Sequence, residues 1–90
     1  MAHCPLALLE DVAEVIAEVR SWEGIVEKKK AVLYLRREPF LHFHLVEGMR
    51  RRADIKSGEG WIQIELPRPL SAARCRGFLK ELRRRYREKV

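Results

Sequence analysis

Residues 40–56 read FLHFHLVEGMRRRADIK, and the fold turns on how this stretch pairs with itself. Leu41, Phe43 and Leu45 alternate with His42 and His44, the period of two expected of a strand with one buried face. After Val46, Glu47 and Gly48 the chain returns through Met49, Ala53 and Ile55, interleaved with Arg50, Arg52 and Asp54. A three-residue turn with Gly48 left-handed opposes Leu45 to Met49. In that register Leu41, Phe43, Leu45, Met49, Ala53 and Ile55 share one face. On the other face His44 meets Arg50 and His42 meets Arg52. A slip of one residue would carry Arg50, Arg52 and Asp54 in among the leucines, so burial favours this register. Arg51 falls on the apolar side and is expected to snorkel outward.

Working outward, 56–59 reads as the next turn and Gly60-Trp61 as the start of a further strand. The pairing expected there is Ala53 with Ile62, Arg52 with Gln63, and Arg50 with Glu65 as a cross-strand ion pair. Ile62, Ile64 and Leu66 then join the apolar face. Upstream, 25–36 reads as a single strand bent at the lysines 28–30, with Leu33 and Leu35 inward and Val32, Tyr34 and Arg36 outward. Arg37, Glu38 and Pro39 supply the turn into the hairpin. The alternation agrees across these segments, as expected when local and global preferences coincide.

The flanks follow a different period. Leu8, Leu9, Val12, Val15, Ile16 and Val19 recur at three and four residues, which predicts an amphipathic helix over 5–20 with Pro5 at its first position. Gly24 is available for a left-handed turn after it, and Trp22 closes one end of the core. Ser71 is the expected N-cap of a second helix over 72–89, with Cys75, Phe78, Leu79, Leu82 and Tyr86 as its buried stripe. Gly77 inside that helix costs about 1 kcal/mol against Ala, which suggests a close backbone approach. The expected fold is α+β: a helix, a four-stranded antiparallel meander and a helix, in two layers with both helices on one sheet face. Residues 1–90 are expected to form a single domain.

Composition narrows the class. Hydrophobic residues make up 47% and charged residues 36% of the chain, a folded rather than disordered balance. No apolar run approaches the length of a membrane span, and no basic region precedes an apolar one at the start, so a cytoplasmic protein without membrane contact is expected. Asn and Thr are absent and Gln63 is the lone Gln, a bias shared by thermophilic proteins and by products of GC-rich genomes. In the thermophilic case a Cys4–Cys75 bridge is compatible with an intracellular setting. The net charge of +6 is uneven: 1–23 carries one basic against five acidic side chains, and 71–90 carries eight against two. A basic excess attracts nucleic acid and other polyanions, and it also suits a solvated Arg/Glu surface.

The face expected to stay open carries Tyr34, His42, His44, Arg50, Arg52, Asp54, Trp61, Gln63 and Glu65. His42 and His44 point the same way, so with Asp54 they have the composition of a two-His, one-carboxylate metal set. Arg50 and Arg52 beside them oppose a divalent cation, so no metal is expected; His3, Cys4 and Cys75 lack any recognised zinc spacing. The same group suits an anion better. Arg50 and Arg52 would bind a phosphate or carboxylate, His42 and His44 donate hydrogen bonds, and Trp61 or Tyr34 stack on a base or sugar. A second basic candidate is the outer surface of the last helix, Lys80, Arg83, Arg84 and Arg87. Against these stand a plain polar surface with Arg50–Glu65 and Arg52–Asp54 neutralising each other, and a homodimer contact through Val32, Tyr34, Phe40 and Trp61. No Gly-rich phosphate loop, nucleophile motif or paired carboxylates occur, so no catalytic residue or cofactor is expected.

Leu41-His42-Phe43-His44, Arg52-Ala53-Asp54, Gly60-Trp61-Ile62 and the run from Leu82 to Tyr86 together resemble a family of small proteins called luciferase domain-containing. The resemblance covers about residues 31–87 and departs from the family pattern at Leu41, where members have Gly. It implies the meander-then-helix order and interest in His42 and His44, and it implies no established catalysis. The reading is a binding or interaction module for an anionic ligand or nucleic acid. The alternatives are a homodimer-forming structural protein and a small enzyme using His42 and His44 as an acid–base pair.

Overall fold

The hairpin forms with the expected parity but two residues away from the expected register. The computed structural model describes residues 2–90. The chain runs β1 (Ala2–His3), a 3-10 segment (Leu6–Val12), α1 (Ala13–Arg20), β2 (Ile25–Lys29), β3 (Val32–Leu35), β4 (Glu38–Val46), β5 (Arg50–Ser57), β6 (Gly60–Leu66) and α2 (Ala72–Lys89). The fold is α+β, with an antiparallel sheet ordered β2-β3-β4-β5-β6; β1 also pairs with β4.

Between β4 and β5 the paired residues are Val46–Arg50, Leu45–Arg51, His44–Arg52, Phe43–Ala53 and His42–Asp54. The turn is therefore Glu47-Gly48-Met49, with Gly48 at φ 75° and Met49 at φ 59°. A shift of two preserves the faces, because side chains alternate with a period of two, but it changes every partner. Met49 leaves the apolar set and stands 65% exposed. Between β5 and β6 the same shift recurs: Ser57 pairs Gly60 around a two-residue turn, Ala53 pairs Ile64 and Arg52 pairs Glu65. The expected Arg50–Glu65 ion pair exists as a diagonal contact at 3.5 Å.

Arg51 explains the register better than either turn does. It does not snorkel: it is 1% exposed, and all five of its N–H groups have partners. Nε donates to the Leu66 carbonyl at 3.3 Å and Nη1 to the Leu8 carbonyl at 2.8 Å. Nη1 and Nη2 grip the Asp11 carboxylate at 2.6 and 2.9 Å, and Nη2 also reaches the Pro67 carbonyl at 2.6 Å. Moving the hairpin by two residues would put Met49 in this place, leave the Asp11 carboxylate with only the Leu70 N–H and take the side-chain donor from three carbonyls.

The same contact breaks the first helix. The expected continuous helix over 5–20 is a 3-10 segment with non-helical dihedrals at Leu9 (φ −119°, ψ 15°), followed by α1. The Leu8 carbonyl bonds Arg51 and the Asp11 carboxylate accepts from Leu70 N at 2.6 Å, so side-chain and long-range bonds replace part of the helical pattern. The expected strand over 25–36 is two strands, giving five in the meander rather than four. Lys30 and Ala31 turn the chain, Ala31 being left-handed (φ 63°) with its N–H bonded to the Glu27 carboxylate at 2.8 Å. A register shift in β2 accompanies this turn. Arg36 and Arg37, both at positive φ, form the next turn, so Pro39 lies inside β4 rather than in the turn. Val32 and Phe40, expected outward, are 8% and 1% exposed. Phe40 packs edge-on against Tyr86, next to a register shift between β3 and β4.

α2 matches its expected span, and the Ser71 hydroxyl accepts from Arg74 N at 3.2 Å. Gly77 is not a point of close approach, since a Cβ there would meet nothing within 4 Å. Leu9, Val12, Val15, Ile16 and Val19 share one core with Leu33, Leu35, Leu41, Phe43, Ala53, Ile55, Phe78 and Leu82. Phe43 and Phe78 meet edge-to-face at 6.2 Å, tying β4 to α2. Trp22 lies partly buried against this core and 5.0 Å from Tyr86, as its position suggested. Cys4 and Cys75 are free thiols, not a bridge: the Cys75 thiol points to the Asp11 carbonyl at 3.5 Å. Among the described residues, no helix is long and apolar enough to cross a membrane.

Candidate functional site

The side of the sheet away from that core gathers rings from four strands. His42 sits at their centre, 5.4 Å from Trp61, 6.4 Å from Tyr34, 6.0 Å from His44 and 6.3 Å from His3, centroid to centroid. His3, which sequence reasoning missed as a member of this group, stacks on His44 at 5.7 Å and 19°. β1 brings it there by pairing His3 with His44. A two-residue strand carries no periodicity, so no local pattern in the sequence signals it.

The register decides the electrostatics. Arg52 holds Asp54 through Nε at 2.8 Å and Nη2 at 3.1 Å, and His44 Nε2 lies 3.3 Å from the same carboxylate. Asp54 is therefore encircled by one guanidinium and one imidazole and is 9% exposed. Arg50, expected to face His44, lies instead at the hairpin end, bonded to the Glu47 carbonyl at 3.0 Å and paired with Glu65. His42 is expected to oppose Arg52, but it opposes Asp54 in the pairing. The structure thus brings His42, His44, Tyr34 and Trp61 together and sets Arg50 apart.

Burial pushes the titration of His42 and His44 below the usual imidazole range. For His42 the neighbouring imidazoles add to the effect, while Asp54 opposes it. For His44, Asp54 opposes the shift and Arg52 adds to it. In both, the shift favours the neutral ring. His42 Nε2 is buried and has no hydrogen-bond partner. Among the described residues, no group of three His, Cys, Asp or Glu side chains is spaced to hold a metal ion. Two cations unremarked in the sequence cap the rings: Lys56 Nζ lies 5.2 Å from the Trp61 ring centre and Lys28 Nζ 5.7 Å from that of Tyr34.

The basic surface of α2 is arranged differently. Residues 76, 80, 83, 84 and 87 fall within about 100° of one another on a helix of 3.6 residues per turn, opposite Phe78 and Leu82. Arg83 is drawn to one side, bonded to Glu18 at 3.1 Å with its guanidinium 5.4 Å over Trp22. Glu81 and Glu88 engage mainly Arg85, which also bonds Ser57. Arg84 meets Glu81 only at 3.8 Å, with 65% of its side chain exposed. Arg76, Lys80 and Arg87 have no carboxylate partner among the described residues.

Comparison with known proteins finds no matching family model, no matching curated protein and no matching solved structure.

Proposed function

We propose that the chain is a binding domain for a polyanion, nucleic acid foremost, and that the contact surface is the outer stripe of α2. The observation that carries this reading is the row Arg76, Lys80, Arg84 and Arg87, of which, among the described residues, Arg84 alone meets a carboxylate, Glu81 at 3.8 Å. At 1.5 Å per residue the row extends about 16 Å with cations about 5–6 Å apart. Such a row suits a polymer of negative charge better than one small anion, which would engage a single convergent cluster. The anion role therefore moves off the sheet, where Arg52 is committed to Asp54 and Arg50 is paired with Glu65.

The reading takes both helices as one layer against the same side of the sheet, which the shared core and the Phe43–Phe78 pair support, so that the charged side of α2 faces outward. Free thiols at Cys4 and Cys75 support a cytoplasmic setting. The likeness to luciferase domain-containing proteins adds interest in His42 and His44 without adding an activity.

Fluorescence anisotropy with random single-stranded and duplex oligonucleotides tests the reading. Four phosphate contacts predict an affinity loss of about 100-fold between about 50 and about 200 mM salt. Replacing Arg76, Lys80, Arg84 and Arg87 together by Gln should abolish binding with the melting temperature retained, and replacing Arg50 and Arg52 by Gln should leave binding in place. Absence of binding at low salt, or loss through Arg50 and Arg52 alone, would overturn it.

A further inference from the structure

We infer that β6 is a self-association edge, and that two copies of this chain join antiparallel through it into one continuous sheet. Ser57 and Gly60 close a two-residue hairpin, so they form a hydrogen-bonded pair, and such pairs recur at every second residue. Gly60, Ile62, Ile64 and Leu66 thus spend their backbone groups on β5. Trp61, Gln63 and Glu65 direct theirs away from it. β6 is the last strand of the sheet, and no other backbone bond reaches those three residues among the described residues.

The two edges of the sheet are built differently. β2, at the far edge, carries Lys28 and Lys29 and a register shift, the devices that keep an edge from pairing. β6 has seven regular residues, GWIQIEL, with no Pro, no Lys and no bulge. It also carries Trp61, 40% exposed, and the half-buried Ile62 and Ile64. An edge of that composition is a template for another strand.

Its sequence is complementary to itself. Centring a two-fold axis on Gln63 pairs Gln63 with Gln63 and Trp61 with Glu65 of the second copy, all through outward backbone groups. Ile62 then meets Ile64 of the second copy on the core side, extending the apolar layer across the junction. On the other side Trp61, with Lys56 over its ring, stands opposite Glu65 of the second copy. Because β2 is guarded, pairing stops at two copies and does not propagate. The proposal is independent of the α2 surface, which lies on another part of the molecule.

Sedimentation velocity from micromolar to near-millimolar concentration, with amide exchange on the same samples, tests it. The expected result is a monomer–dimer equilibrium in which the Trp61, Gln63 and Glu65 amides gain protection with concentration. The Ile62 and Ile64 amides should be protected throughout. Gln63→Pro removes a donor that the monomer does not use, so it should yield a monomer with an intact fold. Gln63→Lys sets like charges face to face and should weaken the dimer about fivefold or more. Mixing it with Gln63→Glu should restore a mixed dimer, which loss of folding would not. A monomer at all concentrations would overturn the inference. So would a dimer indifferent to Gln63→Pro, or one lost through Tyr34→Ser with the β6 amides unprotected.

Discussion

Arg51 and Arg52 leave β5 in opposite directions, and the two sides of the sheet treat the same side chain differently. Arg51 enters the margin of the core, where the 3-10 segment, the end of β6 and the approach to α2 all send it acceptors. Arg52 meets one carboxylate, two residues along its own strand. The first is a junction of segments 15 to 43 residues apart, and the second is a local pair. An arginine's contribution here depends on how many chain segments converge on it and on how much water is excluded.

The largest effect expected is from Arg51→Met. It leaves the Asp11 carboxylate with only the Leu70 N–H and takes the side-chain donor from three carbonyls, so the loss should be about 3–5 kcal/mol in urea denaturation. Arg52→Ala should cost about 1–2 kcal/mol, because Asp54 keeps His44 and partial access to water. Equal losses for the two would erase the distinction.

Acid should separate the two sides by pH. His42 and His44 titrate below their unfolded value of about 6.5, so the unfolded state binds protons first. Their contribution is complete above that value and is lost as pH falls through the lower folded values. Asp11 is held below the usual carboxylate range mainly by its hydrogen bonds from Arg51. Its contribution is complete above about pH 4 and is lost as pH falls further. Denaturation midpoints measured against pH should therefore decline in two stages, and His42→Phe should flatten the upper stage alone. The smallest effect is expected at the exposed pair: Arg50→Gln should change stability by less than about 0.5 kcal/mol, seen as an unmoved urea midpoint.

Much of this fold is legible in the sequence, and its faces more so than its partners. Alternation at Leu41, Phe43, Ala53, Ile55, Ile62 and Ile64 assigns sides, because one misplaced charge in the core outweighs any turn preference. It does not distinguish registers that differ by two. That choice depends on where Arg51 can find acceptors, and those come from Leu8, Asp11, Leu66 and Pro67, which no local window contains. The lysines 28–30 hid a turn because Ala31, an ordinary strand or helix residue, takes a left-handed conformation there. At the candidate site, His42, His44, Tyr34 and Trp61 share a face as the alternation indicates. Asp54 in place of Arg52 opposite His42 is a consequence of the register alone.

The Asp11–Arg51 pair also constrains how this sequence can change over time. Replacing either residue singly leaves an uncompensated charge or a set of orphaned carbonyls, whereas an apolar pair of matching volume could fill the same space. Two positions 40 residues apart are thus bound to a common fate: most routes between acceptable combinations pass through a chain that folds poorly. Related sequences are expected to keep both residues or to have exchanged both, and Asp11→Leu combined with Arg51→Met should be less damaging than the sum of its parts.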